Sequence, residues 1–272
     1  MKEILYTIAS YMADLWFPRR RPPELRQGAT QKGYGRVNCW ASGGKSTLRR
    51  DLIRCAIEGV TIYHVELMGW AEFSAYRIPG KLDATEKMYR WLVAQCRALG
   101  LWCFVSLTND NAGSRKYGDT GRPLRDIRAD VSRMIGVVGA AGPDNVIVQP
   151  VGETQTDAGR QIEAEAAQKL HGFVLVNNRG SRPTSKPGWA AWNAYHPFKT
   201  SDGVPSNTIC VSDTGSIIAQ LHYGLDPTGK GKPDTIRAWA RRLKQQGNPA
   251  VVLYAFKLKE YDSAAIKALG EA

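Results

Sequence analysis

Three acidic residues in this 272-residue chain stand at the ends of short β-branched or apolar runs. Glu153 closes Gln149-Pro150-Val151-Gly152-Glu153-Thr154, Asp213 closes Cys210-Val211-Ser212-Asp213 ahead of Thr214-Gly215, and Glu66 closes Thr61-Ile62-Tyr63-His64-Val65. Two carboxyl groups facing one bond are the tools of acid–base and nucleophilic chemistry. One, protonated, assists a leaving oxygen; the other, ionised, attacks or activates water. Glycosidic cleavage uses such a pair, with about 5–5.5 Å between them for retention and about 6.5–9.5 Å for inversion. Each acid also has a plainer reading. Asp213 before Thr214-Gly215-Ser216 suits a helix N-cap, and Glu66 suits an ion pair with Arg179 or contact with a substrate. Substrate contact is the reading favoured for Glu66.

These residues are placed by a regular alternation of strand and helix patterns. Strands are expected at Val37–Ala41, Val60–Leu67, Leu101–Leu107, Asn145–Val151, Phe173–Val176, Ala191–Tyr195, Thr208–Val211 and Val251–Phe256. Helices are expected at Ser46–Gly59, Asp83–Leu99, Leu124–Val138, Ala158–Leu170, Thr235–Gln246 and Ala264–Leu269. Eight strands in βαβ order predict an α/β fold, a closed (β/α)8 barrel of the TIM type over residues 31–272. The pattern is irregular around strands five to seven, where Arg179–Gly188 is too rich in proline and glycine for a helix. An open doubly wound sheet is the alternative. Residues 1–30 read as a separate arm: an amphipathic helix over 3–16, then a proline- and arginine-rich stretch through Arg19-Arg20-Arg21 and Pro22-Pro23.

In such a barrel the loops after the strands build one shared mouth. The strand ends are rich in aromatic, amide and acidic groups: Trp40, Glu66, Asn109 beside Thr108 and Asp110, Glu153, Asn177, Trp192, Asn193, Tyr195, His196, Asp213 and Tyr254. Aromatic faces stack on sugar C–H groups, and amides with carboxylates meet hydroxyls as donors and acceptors. An oligo- or polysaccharide, neutral or anionic, is the expected substrate. Trp192 serves equally well as plain packing. His64 and His196 have no ligand spacing, so no metal and no cofactor is expected.

On Glu153 after strand four and Asp213 after strand seven, the chain resembles the retaining glycoside hydrolases of the cellulase-like (β/α)8 superfamily. The resemblance spans about residues 35–270 as architecture. It implies Glu153 as general acid/base, Asp213 as nucleophile and retention of configuration. Two positions differ from the family pattern: Gly152 stands where Asn usually precedes the acid, and Asp213 where Glu is usual.

Two other function classes fit parts of the sequence. Ser42-Gly43-Gly44-Lys45-Ser46-Thr47 resembles the end of a phosphate-binding loop, but Cys39 stands where the full pattern has glycine. A βα turn capped by Ser or Thr is the plainer account, and Lys45 is the residue to watch. The other class is a non-catalytic barrel that binds glycans or polyanions within a larger assembly. Lys plus Arg number 37 against 25 Asp plus Glu, a net charge of +12, which favours anionic partners. The basic residues are scattered over helices (Arg49, Arg50, Arg54; Arg237, Arg241, Arg242, Lys244) rather than set among aromatics, so specific nucleic-acid readout is not expected. Apolar residues at 43% and charged residues at 23% exclude a disordered or collagen-like chain. No run approaches the roughly 20 apolar residues of a membrane span. Five dispersed cysteines without CxxC spacing read as reduced, buried thiols. With no secretion signal legible, a cytoplasmic place or one inside an assembly is expected; oligomeric state is not legible.

Overall fold

The structure is a computed structural model that describes residues 31–36, 44–68, 81–110, 124–178, 187–195, 208–213, 233–248, 250–255 and 262–272. Eight strands, all parallel, pair in sequence order into a closed barrel. They are β1 (Gln31–Arg36), β2 (Ile62–Glu66), β3 (Trp102–Asn109), β4 (Val146–Gly152), β5 (Val174–Asn178), β6 (Trp192–Tyr195), β7 (Thr208–Asp213) and β8 (Ala250–Ala255). The helices are α1 (Lys45–Glu58), α2 (Lys81–Leu99), α3 (Leu124–Ala141), α4 (Asp157–Lys169), α5 (Pro233–Gln245) and α6 (Asp262–Gly270). The ring is closed, so the open-sheet alternative is excluded. Between β5 and β7 no helix lies among the described residues, and 179–186 and 196–207 fall outside them. The arm over 1–30 is outside them too.

Alternation along each strand separates two apolar groups. Outward positions such as Tyr34, Tyr63, Val65, Cys103, Val105, Val146, Val148, Val251 and Leu253 join helix residues including Leu52, Leu92, Val131, Ile162 and Leu243 in the larger core. Inward positions Ile62, Phe104, Ile147, Val176, Ala194, Ala250 and Val252 fill the barrel interior, with Trp102, Val174 and Trp192 packed against them. Burial on both faces explains why β4 reads as a near-continuous Val/Ile run rather than an alternating one. Cys55, Cys96 and Cys103 are buried free thiols in the outer layer, and burial pushes the Cys96 thiol well above its ordinary range. Among the described residues no helix is long and apolar enough to cross a membrane.

The first strand corrects the expectation from sequence. It is Gln31–Arg36, upstream of Val37–Ala41, and residues 37–43 are outside the described set. Its sequence, QKGYGR, has no β-branched residue and two glycines, so propensity hides it. Packing supplies the reason for glycine. A Cβ on Gly35 would lie 1.9 Å from the His64 carbonyl oxygen, so only a residue without a side chain lets β1 approach β2 this closely. Gly35→Ala is therefore expected to destabilise the fold by about 3 kcal/mol or more in urea unfolding. A loss below about 1 kcal/mol would mean that β1 does not pack against β2 in this way.

Candidate active site

Because every strand runs the same way, all their C-terminal ends lie at one end of the barrel. Towards that end the interior changes character. Ile62 is followed inward by His64 and Glu66, Phe104 by Ser106, and Ile147 by Gln149. Glu66, Ser106 and Gln149 form one in-register row across β2, β3 and β4. All are buried. An apolar floor thus carries a polar upper layer. Gln149 Oε1 is buried there without a hydrogen-bond partner among the described residues. A buried polar atom of this kind is costly unless a polar group meets it.

His64 belongs to the same layer. It is 2% exposed, its Nε2 lies 2.8 Å from Ser106 Oγ, and its ring stacks obliquely on Phe104 at 4.4 Å between centroids. Burial lowers its pKa from 6.5 to about 3, so the imidazole is neutral through the working range. Unfolded, it titrates near 6.5. Between these values the unfolded chain binds the extra proton, so stability falls as pH drops through this window. The slope expected from this group is up to about 1.4 kcal/mol per pH unit. His64→Gln should flatten the decline of urea-unfolding free energy between pH 6 and 4; an unchanged slope would mean that His64 is charged in the folded protein.

Glu153 is the first residue after β4 and is half-buried. Its backbone has φ 52°, the left-handed region, at a cost on the order of 1–2 kcal/mol for a residue with a Cβ. The neighbours hold it there. The Gly152 carbonyl accepts from the Asp110 N–H at 2.9 Å, and the Thr154 N–H donates to the Asn178 carbonyl at 2.9 Å. Thr154 Oγ1 donates to buried Glu163 at 2.5 Å. Gly152 itself is crowded: a Cβ there would meet Asn109 Nδ2 and Gln149 Nε2, each at 3.2 Å. The residue before the acid is thus flanked by two amides, Gln149 of its own strand and Asn109 of β3, which pairs with it in register.

The other expected site residues are placed as follows. Glu66 and Asn109 end β2 and β3, and Asn109 lies in register with Gly152, next to Glu153. Asp213 ends β7, in register with Tyr254 of β8, and Tyr195 ends β6; these three are described by backbone alone. Trp40 and His196 lie outside the described residues. Asn177 and Asn193 do not join the group. They are register partners, Asn177 Nδ2 donates to Asn193 Oδ1 at 2.9 Å, and alternation turns both away from inward Val176 and Ala194. Trp192 opens β6 rather than ending it, and packs on the apolar floor. Sequence reading passed over Ser106 and Gln149, although the period-2 pattern from Phe104 and Ile147 puts both on the inward face.

Lys45 begins α1 after Gly44, which caps the helix without a side-chain hydrogen bond, so neither Ser46 nor Thr47 is the cap expected. Its Nζ lies 5.4 Å from the centre of the Trp91 ring on α2, with Arg49 at 5.5 Å from the same ring. These are cation–π distances on the outer layer, away from the interior. Other basic residues of the helical faces are engaged locally: Arg54 with Glu58 at 3.1 Å, and Arg237 with Asp234 and Glu271. Among the described residues no cluster of His, Cys, Asp and Glu has the makings of a metal site.

No protein-family model matches the sequence, and no curated protein matches it. Solved structures do. A glycoside hydrolase of family 5 from Bacteroides vulgatus superposes with a TM-score of 0.54 at 10% identity, over 84% of this chain and 58% of that one. The likeness is one of fold. A broad-specificity endoglucanase from Bacteroides salanitronis gives 0.51 at 11% identity, over 94% and 97% of the two chains. An endo-β-1,4-mannanase from Thermotoga petrophila gives 0.55 at 9%, over 92% and 76%. This chain therefore spans well under two thirds of the Bacteroides vulgatus enzyme, and nearly the whole of the endoglucanase.

Proposed function

We propose that this barrel hydrolyses a glycosidic bond of an oligo- or polysaccharide with retention of configuration. The observation that carries the reading is Glu153: an acid in left-handed backbone, at the C-terminal end of β4, beside a buried polar layer. Backbone strain maintained by several hydrogen bonds is characteristic of sites where a side chain must be aimed. The similarity in fold to an endoglucanase and an endo-mannanase supports the substrate class.

In this reading the Asp213 carboxylate attacks the anomeric carbon. The C–O bond to the leaving group breaks while Glu153 gives its proton to the departing oxygen. Water, deprotonated by Glu153, then displaces Asp213 and restores both groups to their starting forms. Glu66 and Asn109 would bind sugar hydroxyls, and the same role falls to Trp40, His196 and Tyr254. Asn177 and Asn193 are left out of the substrate set because of where they face, Tyr195 because its register row through Cys210 and Val251 belongs to the outer core, and Trp192 because it packs on the apolar floor. No cofactor enters the scheme.

Lys45 beside Trp91 and arginines in local ion pairs give less support to nucleotide or polyanion binding. Glu153→Gln tests the main reading directly. The value of kcat/KM for aryl glycosides with poor leaving groups should fall by about 10²–10⁴-fold, against less than about tenfold for dinitrophenyl glycosides. An equal loss for both substrates, or none, would remove Glu153 from the acid role, and no hydrolysis of either by the unaltered chain would favour a glycan-binding barrel.

A further inference from the structure

We infer that Asp110 is a positioning residue that sets where the Glu153 carboxyl stands in the mouth. This inference rests on the reading of Glu153 as the proton donor. Asp110 directly follows β3 and is 1% exposed, yet its carboxylate is directed at another segment of chain. Its Oδ2 accepts from the Gln155 N–H at 2.7 Å and the Thr156 N–H at 2.6 Å, and its Oδ1 accepts from Thr156 Oγ1 at 2.9 Å. Its own N–H donates to the Gly152 carbonyl at 2.9 Å. One residue therefore grips the loop on both sides of Glu153, at Gly152 before it and at Gln155 and Thr156 after it.

This grip bears on strain. With φ at 52°, Glu153 would relax towards ordinary backbone by moving Gly152 or the segment from Thr154 to Thr156. Hydrogen bonds to a carboxylate are roughly twice as strong as neutral ones, and two short backbone N–H donors meet here on one oxygen. Thr156 is also the N-cap of α4, accepting from the Gly159 N–H at 3.2 Å, so the loop is tied through Asp110 to the first turn of a helix. The carboxylate sits against the helix at Gly159, where a Cβ would lie 2.5 Å from Asp110 Oδ2. A carboxylate engaged in three hydrogen bonds within the wall is not a second reacting acid. Its effect passes through Glu153.

The experiment compares Asp110→Ala, Asp110→Asn, Gly159→Ala and Glu153→Gln on aryl glycosides of graded leaving-group ability, with thermal unfolding of each. Asp110→Ala should steepen the dependence on leaving group, losing about 10²-fold in kcat/KM on poor leaving groups beyond its loss on dinitrophenyl substrates. KM should change little. Asp110→Asn should recover most of this, because its amide oxygen accepts the two N–H groups and its amide nitrogen donates to Thr156 Oγ1. Gly159→Ala pushes on the same carboxylate from a helical position where alanine is otherwise favourable, and should show the same signature more weakly. It also decides the matter should Asp110→Ala fail to fold. Lowered stability with parallel losses on all leaving groups, or no loss, would overturn the inference and leave Asp110 a loop fastener. If Glu153→Gln itself shows no leaving-group dependence, the reading of Glu153 fails and this one falls with it; if only the Asp110 and Gly159 variants lack it, Glu153 stands and the positioning role alone is lost.

Discussion

Pairing of β1 with both β2 and β8 closes the ring, and everything at the mouth depends on that closure. Because the ring is closed and all strands are parallel, residues far apart in sequence, such as Glu66 and Asp213, end at the same face of the barrel. The closing strand contributes little side-chain volume of its own. Gly35 gives up a side chain so that backbones can meet, while Tyr34 on the other face is fully buried under the helices. Closure also gives the interior its two tiers. The floor of Ile62, Phe104, Ile147, Val176 and Val252 is dry packing; the tier above it holds Glu66, Ser106, Gln149 and a neutral His64.

The loop after β4 is the second consequence. It is short, and its backbone groups are bonded on both sides of Glu153, so the aim of this side chain is fixed by the wall rather than by the ligand. In the proposed reaction such preorganisation would lower the reorganisation needed for proton transfer. Gly152 fits the same picture. Its lack of a side chain leaves space that the amides of Asn109 and Gln149 press against, so a position that differs from the family pattern is occupied by groups from neighbouring strand positions.

Much of the fold was legible because barrel strands and their covering helices carry different periods. Runs such as Val146–Val151 and helices such as α2 and α3 are read from apolar spacing alone, and their observed limits differ from the expected ones by only a few residues. Strand β1 was not legible, since glycine at a close backbone contact looks like a turn when the contact is unknown. At the site, the acid after β4 was legible as a residue type in a position. The left-handed backbone of Glu153 and the direction of Asp110 were not, because each depends on contacts between segments distant in sequence, whereas the inward facing of Ser106 and Gln149 follows from alternation once Phe104 and Ile147 face inward. Asn177 and Asn193 show the converse: being near a strand end says nothing of which face a side chain takes, and a one-residue difference reverses it.

In the proposed reaction a carboxylate at the end of β7 forms a covalent bond to the sugar. Incubation with 2,4-dinitrophenyl 2-deoxy-2-fluoro-β-cellobioside and its manno counterpart, followed by intact-mass and peptide analysis, would capture that bond. The expected result is release of dinitrophenol in one burst and one glycosyl group per chain, carried by the peptide that contains Asp213. Release without an adduct, no release from either compound, or an adduct on a different carboxylate would overturn the covalent mechanism.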